Sequence, residues 1–578
     1  MKFKPGIMEV LLILFAIGVG ALSGVGALGF MALIALGHWA IWPGGANFLH
    51  QVALAPWWLK LLIPVLGGLG LGPVIAFLVP KLRGPGVSEV IEAAALEDSY
   101  IRPKVTILTT LCTAWSIVAG GSLGREGPVA TIGAACGSSL GRFFKLDPDK
   151  VRVALACGAA AGIAATFNAP FTGTMFAVEI ILGDIEIAYL GPIALAAITS
   201  VIVVRQIWAG FPTFIFPACK FQHPAELVLY LLLGLLAGFL AILFTRGVFA
   251  ADTLFRKVPL PEWSKPALGG LLLGLIGLWS PHVFGVGYDS INLALAGKLT
   301  LNAAALVLLA KFLATVICLG SMSGGVFGPS LFLGAMLGTS LALVGNVIFP
   351  HWHLYPIDFA LVGMGAVVSG VTLGPITAIL VIFELTHNYH AIVPLMVSCV
   401  ASLLVVKSLF GSSVYQTKLL RRGIHLVRGL DVNVMHSLLV KEVMTTQLET
   451  IHEDTGLPEV LQKAEASPYP FFIVLNQAGE LSGVLTISDL QEDLRFTRGT
   501  SLALTAGELM TPKVVTITPK DNLQTAWELL EARSLKCLPV VASPGQPKVV
   551  GLLKQEDLLT AYKQKLLKVH LKQHNRAA

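Results

Sequence analysis

GGSLGREGPVATIGA, residues 120–134, sets an adjacent Arg125 and Glu126 inside a run of small and apolar residues. Ionisable side chains are costly at bilayer depth, and there they face a cavity or an ion path. Glycines 120, 121 and 124, then Gly127-Pro128, place a loop before an apolar helical stretch, since proline favours a helix's first turn. The start of such a helix carries unpaired N–H groups and the positive end of the helix dipole, which suits an anion. A carboxylate beside it occupies the anion position when ionised and leaves it when protonated. Glu126 is therefore expected to act as gate and proton carrier. The competing expectation is that Arg125 and Glu126 form a pair that only fixes the loop.

The stretch is repeated. Gly127-Pro128-VATI-Gly133-Ala134 returns as Gly328-Pro329-SLFL-Gly334-Ala335, an offset of 201. Gly158, Pro170 and Glu179 return as Gly363, Pro375 and Glu384, an offset of 205. Two patterns at nearly one offset imply homologous halves, about 1–208 and 224–412. The second half carries Gly324-Gly325-Val326-Phe327-Gly328-Pro329, the same device without charge. A third candidate, Gly84-Pro85-Gly86-Val87, precedes the apolar-faced VSEVIEAAAL. Three interrupted helix starts meeting at one point form an anion site from backbone dipoles. Short Gly/Pro-broken segments at matching positions in two halves point to a transporter site near the midplane. Spacing leaves open whether the halves run parallel or inverted.

Composition supplies the membrane. Of 578 residues 55% are hydrophobic and 13% charged, about half the charge of a soluble domain. Residues 430–578 hold 32 of the 74 charged side chains, so a long apolar region precedes a soluble one. Apolar spans near 8–36, 57–80, 225–250, 266–283 and 300–319 approach the roughly 20 residues that cross a bilayer. Shorter pieces between them, such as 153–166, 190–204, 329–348 and 392–410, are cut by Gly and Pro. Irregular backbone at that depth survives only inside protein or along a cavity. The first apolar run continues past Gly24 and is expected to be a retained helix, not a cleaved signal. Net charge is positive on the membrane region and negative on the soluble one, which argues against a nucleic-acid partner. Seven scattered cysteines suit buried small side chains rather than disulfides or metal. His351, His353, His387 and His390 flank spans beside Trp352 and Tyr389 and suit interfacial anchoring. Glu179 and Glu384 are expected as helix-end carboxylates in packing networks, and Asp184 and Glu186 as a polar helix end.

The soluble region also repeats. KEVMTTQLETIHEDTGLPEVLQKA begins near Lys441 and GELMTPKVVTITPKDNLQTAWELL near Gly507. Each has a Met-Thr turn, a short strand and an amphipathic helix, and later a strand ending in glycine (SGVLTISDL, VGLLKQEDL). The expected fold is an all-α polytopic membrane domain, residues 1–428, with a linker at 429–439. Two small α/β modules follow at 440–500 and 501–578, the second ending in a basic helix.

GREGP at 124–128, GGVFGP at 324–329, GPGV at 84–87, FNAP at 167–170 and Val414-Tyr415 together resemble the CLC chloride channels and proton-coupled chloride exchangers. The likeness covers roughly residues 5–425, and the tandem modules resemble a CBS pair. The resemblance implies inverted repeats and a homodimer joined through both regions. It implies Glu126 as the proton-accepting gate. The anion position falls to Pro85, Gly86, Val87, Arg125, Gly127, the amides of Val326 and Phe327, and the Tyr415 hydroxyl. It departs twice. Pro85 stands where the family commonly has Ser, which removes a donor and brings in nitrate beside chloride. Ile180 stands where exchangers carry their internal proton glutamate. Thr486 and Asp489 resemble the ribose-contacting turn of nucleotide-binding CBS modules, so an adenine nucleotide is a candidate ligand; Lys554 replaces Thr486 in the second copy, and Asp557 is kept. Transport itself requires no cofactor or metal.

The expected function is proton-coupled anion exchange across a lipid bilayer, in a prokaryotic-type inner or plasma membrane. The basic KLLRRGIH at 418–425 places the CBS pair in the cytoplasm. The alternative is a passive anion channel using the same filter. A remoter one, an intramembrane hydrolase with Ser321 or Ser323 as nucleophile, needs a His base at membrane depth. A cation transporter would call for acidic clusters inside spans, and the chain offers Glu126 beside an arginine instead.

Overall fold

The computed structural model describes residues 5–45, 47–78, 84–96, 99–183, 187–208, 226–424, 426–427, 431–432, 435, 438–446, 448–466, 471–486, 504–512, 514–533, 535–543 and 548–564. Cys219, Asp184, Glu186, Asp489 and the basic end beyond 564 lie outside these residues. The chain divides into two compact units, Met1–Arg422 with Arg428–Asp431, and Gly423–Val427 with Val432–Ala578.

The first unit is helical. Among the described residues, eight helices are long and apolar enough to cross a membrane, including Leu12–Ile41, Glu226–Lys257 and Leu301–Ser321. The sequence marked five spans of that length. Three of the pieces cut by Gly and Pro are full helices, Pro148–Phe167, Phe327–Ile348 and Ile392–Leu409, the first of them lengthened at its start by the polar residues Asp149, Lys150 and Arg152. Conversely, the expected span at 266–283 is a 15-residue helix, Lys265–Trp279. Proline at 281 opens a separate turn, Pro281–Val283, where the apolar run continues but the helix does not.

The two halves are built alike. Helices Glu126–Phe143 and Pro148–Phe167 correspond to Phe327–Ile348 and Pro356–Thr372. The first pair crosses at Gly133 and Gly158, where a Cβ on either glycine would run into the carbonyl of the other. The second pair crosses in the same way at Gly334 and Gly363. Small residues let backbones close where lipid supplies no hydrophobic drive. Pro148–Phe167 and Pro356–Thr372 each end on a left-handed residue, Asn168 (φ 57°) and Leu373 (φ 56°), 205 positions apart. Each hands over to a helix opening with proline, at Pro170 and Pro375.

Contacts between the halves are reciprocal. Glu384 accepts from Phe171 N–H (2.9 Å), Thr172 N–H (2.6 Å) and the Thr172 hydroxyl (2.6 Å). Glu179 accepts from Ile376 N–H (3.0 Å), Thr377 N–H (2.7 Å) and the Thr377 hydroxyl (2.7 Å). Each half therefore caps the other's proline-started helix with a carboxylate, where it complements the helix dipole. Residue i meeting j while their equivalents meet in return is the mark of a two-fold relation.

In the second unit a four-stranded sheet runs in the order Thr450–His452, Phe471–Leu475, Leu481–Thr486, Thr511–Pro512. A second ladder pairs Cys537–Val541 with Val549–Lys554. The Met-Thr turns are exchanged: Thr445 bridges to Leu552, and Thr511 pairs with Val484. Gly483 and Gly551 lie inside their strands, not at the ends where the sequence pattern set them. Met510 covers the first and Met444 the second, so closely that a Cβ would strike the sulfur.

Candidate anion site

All three glycine loops meet. Gly124 N–H donates to Gly325 O and Gly325 N–H to Gly124 O, both at 2.8 Å. Gly84 and Pro85 pair in parallel with Ser323 and Gly324. A Cβ on Gly127 would lie 3.4 Å from Gly325 Cα and 3.8 Å from Gly86 N. Helices start from this knot: Val87–Leu96 after the first loop, Glu126–Phe143 after the second and Phe327–Ile348 after the third. Their first N–H groups lack intrahelical partners, so three positive helix ends converge.

Glu126 lies at the centre, 1% exposed. Its Oε2 accepts from Gly328 N–H at 3.2 Å, the first turn of the opposite half's helix. Its Oε1 accepts from the Tyr288 hydroxyl at 2.5 Å. A carboxylate at a helix N-terminus stands where a bound anion would stand. The Arg125 guanidinium lies 4.8 Å from the Tyr288 ring centroid.

The remaining sequence candidates surround this centre. Val326 and Phe327 are buried, and the Phe327 ring packs on Phe167 of FNAP at 5.4 Å. Tyr415, 1% exposed, opens helix Val414–Arg421 within electrostatic reach of Glu126. The Ser88 hydroxyl donates to Tyr415 O at 3.2 Å, binding that helix to the first turn of Val87–Leu96. Below this contact Glu89 pairs with Lys418 (2.9 Å) and Arg422 (3.3 Å), and Glu92 with Arg422 (2.6 Å). Ile180 packs toward Gly374, where a Cβ would come within 2.9 Å of its Cδ1, and Glu179 is engaged in the inter-half cap. Ser321, the hydrolase candidate, bonds its hydroxyl to Ile317 O of its own helix at 2.8 Å.

In the second unit Thr486 ends its strand opposite Phe471. In the other copy Lys554 Nζ lies 5.5 Å from the Phe471 ring, and Asp557 accepts from the Thr445 hydroxyl at 3.4 Å. Two contributors were not among the residues assigned to the anion position from the sequence. Gly328, quoted there only as part of the second-half motif, could have been assigned, since it is the repeat equivalent of Gly127. Tyr288 could not, lying 162 residues from Glu126 outside every quoted motif.

Residues 67–407 match the voltage gated chloride channel family, and residues 440–495 and 506–564 match the CBS domain. A ClcB-like chloride channel protein of Ralstonia nicotianae is 34% identical over 410 residues, 70% of this chain and 95% of that protein. The H(+)/Cl(-) exchange transporter ClcA of Cronobacter sakazakii is 33% identical over 427 residues, 71% of this chain and 89% of that protein. The crystal structure of a slow cyanobacterial Cl-/H+ antiporter superposes with a TM-score of 0.64 at 25% identity, covering 73% of this chain and 99% of that one.

Proposed function

Because the chain belongs to the voltage-gated chloride channel family and carries a CBS pair, we propose that this multi-pass membrane protein exchanges chloride for protons. The observation that carries the proposal is the Glu126 carboxylate bound at the start of helix Phe327–Ile348. Ionised, it fills the position that the converging helix ends create for an anion. Protonation removes its charge and its hold on Gly328 N–H, and a chloride takes its place. Release of the proton to the other side and return of the carboxylate then expel the anion, so one group couples the two fluxes. Pro85, Gly86, Val87, Gly127, Val326, Phe327 and Tyr415 form the anion path, and Arg125 adds positive potential. With Pro85 in place of a hydroxyl donor, nitrate is the competing anion to test.

The chain acts as a transporter and not an enzyme, as a homodimer in a prokaryotic inner or plasma membrane with its CBS pair in the cytoplasm. Thr486 and Asp489 are the residues offered to an adenine nucleotide. Purified protein in liposomes tests the exchange. An outward chloride gradient should drive protons uphill into the vesicles, and chloride flux without any proton movement would leave a passive channel. Nitrate added in competition reports the preferred anion.

A further inference from the structure

Tyr288 opens the short helix Tyr288–Leu295 and belongs to none of the glycine loops, yet it touches both members of the charged dipeptide. Its hydroxyl donates to Glu126, and its ring lies beneath the Arg125 guanidinium. The segment before it is braced from several sides. Lys311, fully buried on helix Leu301–Ser321, donates to Val283 O (3.0 Å) and Gly285 O (2.7 Å). Gly285 N–H donates to Gly120 O at 3.0 Å, on the loop that leads to Glu126. His282 Nδ1 lies 2.9 Å from the Ser290 hydroxyl, and Asp289 accepts from Leu49 N–H at 3.0 Å. A polar group taken out of water is costly unless it is hydrogen-bonded. The Lys311 amine meets that condition by bracing two carbonyls just ahead of Tyr288.

We propose that Tyr288 is the positioning residue that latches the Glu126 carboxylate over the start of helix Phe327–Ile348, and that its O–H serves the anion that replaces the carboxylate. The inference rests on the reading of Glu126 as gate. An ionised carboxylate accepts from Gly328 N–H and Tyr288 O–H together. A protonated one loses its charge and keeps full acceptor capacity on one oxygen only, so its hydrogen bonds to the two donors fall to about half their strength. The latch therefore opens on protonation and leaves two donors aimed at the vacated position. The ionisable groups facing that position are Arg125, Tyr288 and Tyr415, with Lys311 behind the 283–285 turn.

The test is chloride efflux against pH for the full chain in liposomes. Glu126→Gln should flatten the pH dependence. Tyr288→Phe should keep it and move its midpoint upward by about one to two pH units, the size of one hydrogen bond to a charged group. Tyr288→Met, a second donor-free side chain, should move it the same way. Tyr288→His, which restores a ring N–H, should recover part of the shift. In the Glu126→Gln background, adding Tyr288→Phe should raise the half-saturating chloride concentration about fivefold or more. Superposable profiles for wild type, Tyr288→Phe and Tyr288→Met, with Glu126→Gln still flat, would overturn the latch and leave the gate standing. Full pH dependence in Glu126→Gln would remove the gate itself.

Discussion

Replacing Gly325 with alanine puts a methyl group where the two halves touch. The added Cβ would lie 2.8 Å from Gly124 O, 3.1 Å from Gly124 C and 3.1 Å from Gly127 N. All three are backbone atoms, so no rotamer change relieves the contact. Overpacking of this kind costs about 1–3 kcal/mol. The separation it forces also strains the two Gly124–Gly325 hydrogen bonds, about 0.5–1.5 kcal/mol each. The expected loss of stability is therefore about 2–6 kcal/mol. Function should suffer as well, because moving Gly124–Gly127 away from Gly325–Gly328 pulls Glu126 off the Gly328 N–H. Chloride efflux should fall roughly tenfold or more, as small misplacements of a positioned group do. The control is Gly29→Ala, where a Cβ would meet nothing within 4 Å among the described residues. That change should stay within about 0.5 kcal/mol. Thermal unfolding in detergent and efflux from liposomes read both effects. Should Gly325→Ala match Gly29→Ala in melting and in flux, the two loops do not pack as described.

Other expectations follow from the same contacts. Glu179→Gln and Glu384→Gln each weaken an equivalent three-donor cap, so the two should lower thermal stability by similar amounts, about 1–3 kcal/mol. A large loss from one and none from the other would break the two-fold relation. Lys311→Met strands the Val283 and Gly285 carbonyls, and it should cost about 1–3 kcal/mol in a thermal melt and slow chloride efflux. In the CBS unit, burial pushes the Cys537 thiol up to about 11. Alkylation of this residue at pH 8, followed by peptide mass mapping, should run roughly a hundredfold slower in the folded protein than after denaturation.

Much of the site was legible because its parts are local motifs. Glycine-proline pairs announce helix starts, and the offsets of 201 and 205 join the halves without any structure. The convergence of Gly84–Val87, Gly124–Pro128 and Gly324–Pro329 follows from asking where irregular backbone can survive in a bilayer. Long-range geometry was not legible. Tyr288 reaches Glu126 across 162 residues, and nothing in GVGYDS distinguishes its hydroxyl from any interfacial tyrosine. Nor could spacing say how the halves are related. The reciprocal caps of Glu179 and Glu384 supply that two-fold relation, because they name which residue meets which. Span lengths erred for a physical reason too: helix Pro148–Phe167 opens with a polar turn in which Pro148 and Asp149 are exposed, so an apolar run that begins at Val153 misses its start.

The central claim is that helix starts from both halves create one anion position and that Glu126 fills it. Bromide diffusion into crystals of wild type and of Glu126→Ala, read by anomalous scattering, tests this most directly. The account predicts a bromide peak in the variant within hydrogen-bond distance of Gly328 N–H and the Tyr288 hydroxyl, at a point that the wild-type carboxylate occupies. A variant with no peak there, or a wild type with bromide beside an undisplaced carboxylate, would contradict it.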